Sequence, residues 1–321
     1  MSARCRIGVV KGDELLKYSF PDPHPFRKER VSIFFKKVEE LKKELGESLR
    51  IYEPKLASPE DVIIFHEKSY VDFVEKKCRD GVGYLDYGDT PAFKGCYEAS
   101  LYVVGSTLEL VKAVLEGEID HGFNPVGGLH HARKDSAGGF CIFNDVAVAI
   151  KYLLEKAGLR EVLYVDIDAH HGDGVFYSFY FDKRVRILDF HQSGRTLYPG
   201  TGFEHERGGG EAFGTKLNIS FLPGAGTREF KEAWDSMAEE FLAQSNPDFI
   251  LLQAGADGLA GDPLTGLNYT EKVHKFVASR LHELAHEKCE GRIVAVGGGG
   301  YDPENIAKAW TSVIKAFSTR P

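Results

Sequence analysis

Val165-Asp166-Ile167-Asp168-Ala169-His170-His171-Gly172-Asp173 follows directly on the apolar run Val162-Leu163-Tyr164. An apolar run that ends in a burst of ionisable side chains reads as a buried strand delivering polar groups to the loop at its carboxyl end, where open α/β sheets bind their ligands. Outward from this stretch, short β-branched or apolar runs closed by Gly, Asp or His alternate with longer stretches of helical periodicity. That alternation is the pattern of an α/β domain with a parallel sheet. Strands are expected at 7–10, 162–167, 185–190, 217–221, 249–253 and 293–296. Helical stripes run through Val31, Phe34, Phe35, Val38, Leu41 and Leu45, through Phe230, Trp234, Met237 and Phe241, and through Val273, Phe276, Val277, Leu281 and Leu284. Thr227 and Thr270 stand where helix N-caps are expected.

No repeat, low-complexity segment or linker divides the 321 residues, so one domain over 1–321 is expected. Hydrophobic residues make up 43% of the chain, enough for a large globular core. The formal net charge of -8 argues against a polyanionic partner, because nucleic-acid binders present a dense basic face. Five scattered cysteines, Cys5, Cys78, Cys96, Cys141 and Cys289, include no C-x-x-C pair and read as reduced thiols. The opening Met1-Ser2-Ala3-Arg4-Cys5-Arg6 has no signal-like apolar core behind it. No apolar run reaches the roughly 18 residues of a membrane span, so the cytoplasm is the expected location.

Five ionisable groups within eight residues, Asp166 to Asp173, are hard to explain as packing. Three carboxylates at the buried end of a strand repel one another and lose hydration unless a cation or histidines neutralise them. Asp168 and His170, two apart on an extended chain, project to the same side and suit Zn²⁺ or Fe²⁺. Asp257, which follows the apolar run 249–252, is the best third ligand, whereas Asp262, followed by Pro263, reads as a turn former. Three protein ligands leave a position for water, the arrangement of a catalytic metal. The pair His130-His131, after Gly127-Gly128, offers a base, and Tyr301, after Gly297 to Gly300, offers a donor to a developing oxyanion.

Gly128-Leu-His130-His131-Ala-Arg-Lys-Asp135, Gly138-Gly-Phe140-Cys141, Val165 to Val175, Tyr198-Pro-Gly-Thr-Gly202, Gly255-Ala-Asp257, Ala260-Gly-Asp-Pro263 and Gly297-Gly-Gly-Gly-Tyr301 occur in one order. By these motifs the chain resembles the zinc-dependent histone deacetylase family, including its prokaryotic acetoin-utilisation and acetylpolyamine amidohydrolase relatives. His24-Pro25 and Arg30 extend the likeness into the first half. The resemblance implies a single-domain arginase/deacetylase fold, an eight-stranded parallel sheet flanked by helices, with the active site in loops at the carboxyl ends of the strands. It also implies one Zn²⁺ on Asp168, His170 and Asp257, His131 as general base and acid with Asp173 as partner, His130 paired with Asp166 in an electrostatic role, and Tyr301 on the carbonyl oxygen. The substrate tunnel falls on Phe140 and Tyr198, with Leu264 at the rim and the Gly139 carbonyl facing the substrate amide. Phe140 and Leu264 also suit ordinary loop anchors. A monovalent cation, K⁺, is implied near Asp166, Asp168, His170, Asp189 and Phe190. Asp189 stands where serine is usual in eukaryotic members, which alters that site. His24, His66 and His191 read as structural, and His171 has no assigned role.

The expected reaction is hydrolysis of an N-acylated amine, acetyl-lysine in a protein or peptide or a small acetylated amine, with an acetylpolyamine as the alternative. The apolar Leu264 tilts the choice modestly towards acyl-lysine. A binuclear ureohydrolase of the arginase type would need carboxylates where this chain has Gly172 and Gly255. A catalytically silent acyl-lysine or metal-binding module would be expected to lack a ligand, the histidine pair or the tyrosine, all of which are present. Oligomeric state is not encoded in these motifs.

Overall fold

The computed structural model describes residues 4–321. Eight strands form one sheet: β1 (Ile7–Val10), β2 (Leu49–Tyr52), β3 (His121–Asn124), β4 (Val162–Asp166), β5 (Val185–Gln192), β6 (Lys216–Phe221), β7 (Phe249–Gln253) and β8 (Ile293–Val296). Their order across the sheet is β2-β1-β3-β8-β7-β4-β5-β6, and every pairing is parallel. All residues of β1, β3, β4, β5, β7 and β8 are buried, as strands covered by helices on both faces require. This is the eight-stranded parallel sheet expected from the sequence.

The chain runs outward from β1 to β2, returns to β3, crosses to β4 and moves outward again through β5 and β6. Only then do β7 and β8 fill the gap between β4 and β3. The loops after β3, β8, β7 and β4 therefore lie side by side at the carboxyl edge, at the reversal of strand order that makes a crevice.

Six strands stand where the apolar runs place them, with ends shifted by a residue or two: β4 stops at Asp166, β5 runs on to Gln192 and β6 starts at Lys216. β2 and β3 have no clear signal. β2 is an edge strand with Arg50 and Ile51 exposed, and β3 is the four-residue His-Gly-Phe-Asn, too short and too polar to stand out.

The three helical stripes fall on Ser32–Leu45, on the run from Thr227 to Ala243 interrupted by a π-turn at Trp234–Ala238, and on Glu271–Lys288. Thr270 is the N-cap of the last. The cap of the middle run is Gly226, whose N–H donates to Glu229 Oε2 at 2.9 Å, and Thr227 instead accepts from the Thr270 N–H at 3.0 Å. At Pro303–Phe317, Asp302 accepts from the N–H groups of Glu304 and Asn305, with Pro303 at the first helical position.

The expectation of five reduced thiols fails at two positions. Cys78, in the last turn of helix Lys68–Asp80, and Cys96, at the start of helix Cys96–Leu115, form a disulfide with Cα atoms 5.4 Å apart. Only the packing of these helix ends brings the two sulfurs together. Cys5, Cys141 and Cys289 are free and buried. Among the described residues no helix is long and apolar enough to cross a membrane.

Candidate active site

The loop after β3 is held by charge rather than by regular structure. Buried Asp145, at the head of helix Asp145–Glu155, accepts from Gly128 N–H at 3.0 Å, Leu129 N–H at 2.9 Å and the Thr107 hydroxyl at 2.6 Å. Asn144, the N-cap of that helix, donates to the Ala132 carbonyl at 2.9 Å. His130 and His131 are thus gripped from both sides. Gly128 has φ +90°, and a Cβ there would lie 2.7 Å from Gly298 N, so the loops after β3 and β8 meet backbone to backbone.

Asp168, His170 and Asp257 come together from the loops after β4 and β7, each offering a ligand atom within 4.8 Å of the others. His170 Nδ1 lies 3.1 Å from Asp168 Oδ1 and 2.9 Å from Asp257 Oδ2. Asp168 Oδ2 accepts from Gln253 Nε2 and from Gly299 N–H, both at 2.7 Å, and Asp257 Oδ1 accepts from Ala169 N–H at 2.8 Å. Each carboxylate thereby turns one oxygen to the imidazole while N–H donors hold the other, and Asp168 Oδ1 also accepts from His170 N–H at 2.9 Å. Burial, and then the nearby Asp168 charge, push Asp257 up to about 7. Two buried carboxylates confronting one imidazole suit a divalent cation, which relieves their repulsion, and this donor set fits Zn²⁺ or Fe²⁺.

Beside this cluster the two histidines are backed by separate carboxylates. His130 Nδ1–H donates to Asp166 at 2.8 Å and His131 Nδ1–H donates to Asp173 at 2.8 Å. Their Nε2 atoms are 3.1 Å apart. Asp166 also accepts from the Tyr164 hydroxyl at 2.5 Å, and Asp173 from Arg133 at 2.9 Å. Burial favours neutral imidazole at both positions, but at His130 the Asp166 carboxylate outweighs it and raises the group to about 9. Burial, then the charge of His130, lower His131 to about 4. Neighbouring groups driven apart in this way divide into a cation and a neutral base.

A cavity of about 180 Å³ opens onto these groups, and Gly139, Phe140, Tyr198, Leu264 and Tyr301 all line it. Tyr198 and Leu264 are 44% and 37% exposed, which places them at the mouth. Phe140 has φ +68°, and its backbone is held by the Tyr18 hydroxyl donating to its carbonyl at 2.7 Å and by its N–H donating to Thr90 Oγ1 at 3.1 Å. Buried Arg30 donates to the carbonyls of Gly298 and Gly300, at 2.6 and 2.7 Å, under the loop that carries Tyr301.

The sequence reading missed several participants. Tyr164 and Gln253 were given no role, and Arg30 and Arg133 stood only within the motifs of the resemblance; all four act through tertiary neighbours. Asp89 also lines the cavity. Burial, and then Asp86, raise it to about 6.

Asp189, opposite Asp166 in the β4–β5 register, accepts from Gly172 N–H at 2.9 Å and pairs with His191 Nδ1 at 2.7 Å. His171 is tied to Thr201 Oγ1 at 2.9 Å. His24 lies 3.1 Å from the Asp89 carbonyl, and His66 Nε2 accepts from Asn144 N–H at 2.9 Å. At the two positions where a binuclear site would need carboxylates, a Cβ on Gly172 would lie 2.5 Å from Asp166 Oδ2, and one on Gly255 would collide with the Asp168 carboxylate.

Residues 24–317 match the histone deacetylase domain. The chain is 39% identical over 306 residues to the acetoin utilization protein AcuC of Bacillus subtilis (strain 168), covering 92% of this chain and 78% of that protein. It is 36% identical over 300 residues to a probable deacetylase of Archaeoglobus fulgidus, covering 92% and 82%. The fold superposes on the crystal structure of the HDA15 HD domain with a TM-score of 0.89 at 26% identity, covering 98% of this chain and 88% of that one.

Proposed function

The chain belongs to the histone deacetylase family, and we propose that it is a zinc-dependent hydrolase releasing acetate from an acetylated lysine side chain. The observation that carries the proposal is the meeting of the His130 and His131 Nε2 atoms, each backed by its own carboxylate, beside the Asp168, His170 and Asp257 cluster in one cavity. Asp168, His170 and Asp257 would hold the metal, with Fe²⁺ as the alternative occupant. When bound, the metal supplies a Lewis acid that polarises the amide carbonyl and acidifies water.

The chain's own groups do the rest. With Nδ1–H committed to Asp173, His131 carries a lone pair on Nε2, which takes a proton from the attacking water and returns it to the departing amine nitrogen. His130, hydrogen-bonded to Asp166, acts electrostatically on the negative charge building beside it. The Tyr301 hydroxyl donates to the carbonyl oxygen as that atom gains charge. The C–N bond breaks, and water's oxygen ends in acetate. Phe140 and Tyr198 flank the alkyl chain of the substrate, Leu264 meets it at the mouth, and the Gly139 carbonyl accepts from its amide. A K⁺ ion on main-chain oxygens around Asp166, Asp168, His170, Asp189 and Phe190 would stiffen the loop after β4. One catalytic domain over 1–321, acting in the cytoplasm on a protein or small-molecule substrate rather than on nucleic acid, completes the reading.

Asp89 favours a second reading. A carboxylate at the cavity suits a substrate with a distant ammonium group, such as an acetylated polyamine. Acetate release from acetyl-lysine peptides, acetylputrescine, acetylspermidine and longer acyl-lysines by the zinc-loaded chain separates the two. A kcat/KM highest for the peptides supports the first reading, one highest for the polyamines supports the second, and no acetate from any substrate overturns both.

A further inference from the structure

At the opposite edge of the sheet, where the strands begin, a second set of ligand side chains converges that deacetylation does not use. Cys5 precedes β1 by two residues, His121 opens β3 beside it, and His282 and His286 stand one turn apart near the end of helix Glu271–Lys288. Each offers a ligand atom within 4.8 Å of all the others. Cys5 Sγ is 3.7 Å from His282 Nε2 and 3.8 Å from His286 Nε2, and those two nitrogens are 3.0 Å apart. A tetrahedral zinc with Zn–N near 2.05 Å and Zn–S near 2.3 Å needs edges of about 3.3 Å between nitrogens and about 3.6 Å from sulfur to nitrogen.

His121 adds an independent sign. It is fully buried, its Nδ1–H donates to the Gly291 carbonyl at 2.9 Å, and its Nε2 has no hydrogen-bond partner. The carbonyl fixes the tautomer and leaves a lone pair on Nε2, the usual support of a metal-bound imidazole. The three rings stand steeply to one another, at 76° to 87°.

We propose that Cys5, His121, His282 and His286 form a closed, structural Zn²⁺ site, distinct from the catalytic cluster. Four protein ligands leave no position for water, so the site's role is to staple the segment before β1 to β3 and to the end of helix Glu271–Lys288. Binding converts the Cys5 thiol to a thiolate and releases its proton to solvent, leaving one net positive charge on the centre. His286, the partly exposed ligand, marks the side from which the ion enters.

The test loads the full chain with Co²⁺, because Asp168, His170 and Asp257 provide no sulfur and a thiolate-to-Co²⁺ charge-transfer band reports this site alone. The wild type should bind two metal ions per chain and show the band. Asp168→Ala should lose one ion and keep the band. Cys5→Ser, which retains Cys141 and Cys289, should lose the band and one ion while still releasing acetate. Should that variant fold poorly, His286→Gln should shift or weaken the band and lower metal affinity at least tenfold. No thiolate band in the loaded wild type overturns the proposal, as does a single bound ion that disappears in Asp168→Ala.

Discussion

The Asp262 carboxylate accepts the main-chain N–H of Tyr301 at 2.8 Å through Oδ2, while its Oδ1 accepts from Leu264 N–H at 2.9 Å. A residue that reads in the sequence as a turn former thus ties the loop after β7 to the loop after β8, and fixes the tyrosine to the rim residue across the cavity. Asp262→Ala removes this tie without touching a metal ligand. Losing a hydrogen bond to a charged group costs roughly 1.5–3 kcal/mol, so kcat should fall by about tenfold or more with zinc content unchanged. Tyr301→Phe should leave metal and fold intact and lower kcat by about a hundredfold to a thousandfold, the usual cost of an oxyanion donor. An unchanged kcat in Tyr301→Phe would remove the phenol from the reaction.

Asp168→Ala should lose one equivalent of zinc relative to wild type together with all measurable acetate release. The carboxylate is buried and receives N–H donors from Gln253 and Gly299, so alanine also strands those two donors and should cost stability. Metal analysis beside a denaturation curve checks both effects. Undiminished zinc content would place the ligand elsewhere.

The cluster from Asp166 to Asp173 was legible because three carboxylates at the end of a buried strand have no inexpensive explanation as packing. The histidine pair and Tyr301 were legible because glycine-rich loops place them at strand ends. What escaped the sequence depends on proximity created only by the fold. Tyr164 points into the site from inside a strand, and Arg30 reaches carbonyls some 270 residues further along the chain. Cys5, His121, His282 and His286 have no common motif beyond the helical spacing of the last two. β2 and β3 went unread because an edge strand and a four-residue polar strand carry little periodicity.

The disulfide between Cys78 and Cys96 closes a loop that carries Asp89 and Thr90 to the cavity, where Thr90 supports the Phe140 N–H. With a sequence separation of 18 residues, loop-closure entropy alone gives a stabilisation of about 3 kcal/mol. The double variant Cys78→Ala/Cys96→Ala should therefore unfold at lower denaturant and raise KM more than it lowers kcat. A denaturation midpoint equal to that of the wild type would show that the crosslink contributes nothing.

Stability should fall on acidification through His66, a histidine that belongs to neither metal cluster. Burial lowers His66 to about 3, and its Nε2 accepts from Asn144 N–H, the residue that caps the helix behind the histidine pair. In the unfolded chain the imidazole takes up a proton below its ordinary value of about 6.5, whereas in the folded chain it stays neutral until about 3. Between those values the unfolded state binds more protons, so the contribution of His66 is complete above about 6.5 and is lost progressively as pH falls towards 3. The window corresponds to a few kcal/mol, on the order of 1.4 per pH unit. His66→Gln keeps an acceptor for the Asn144 N–H but cannot titrate. Urea denaturation of both proteins at steps from pH 7 to pH 4 should give a shallower decline for the variant, and parallel curves would show that protonation of His66 is not resisted by the fold.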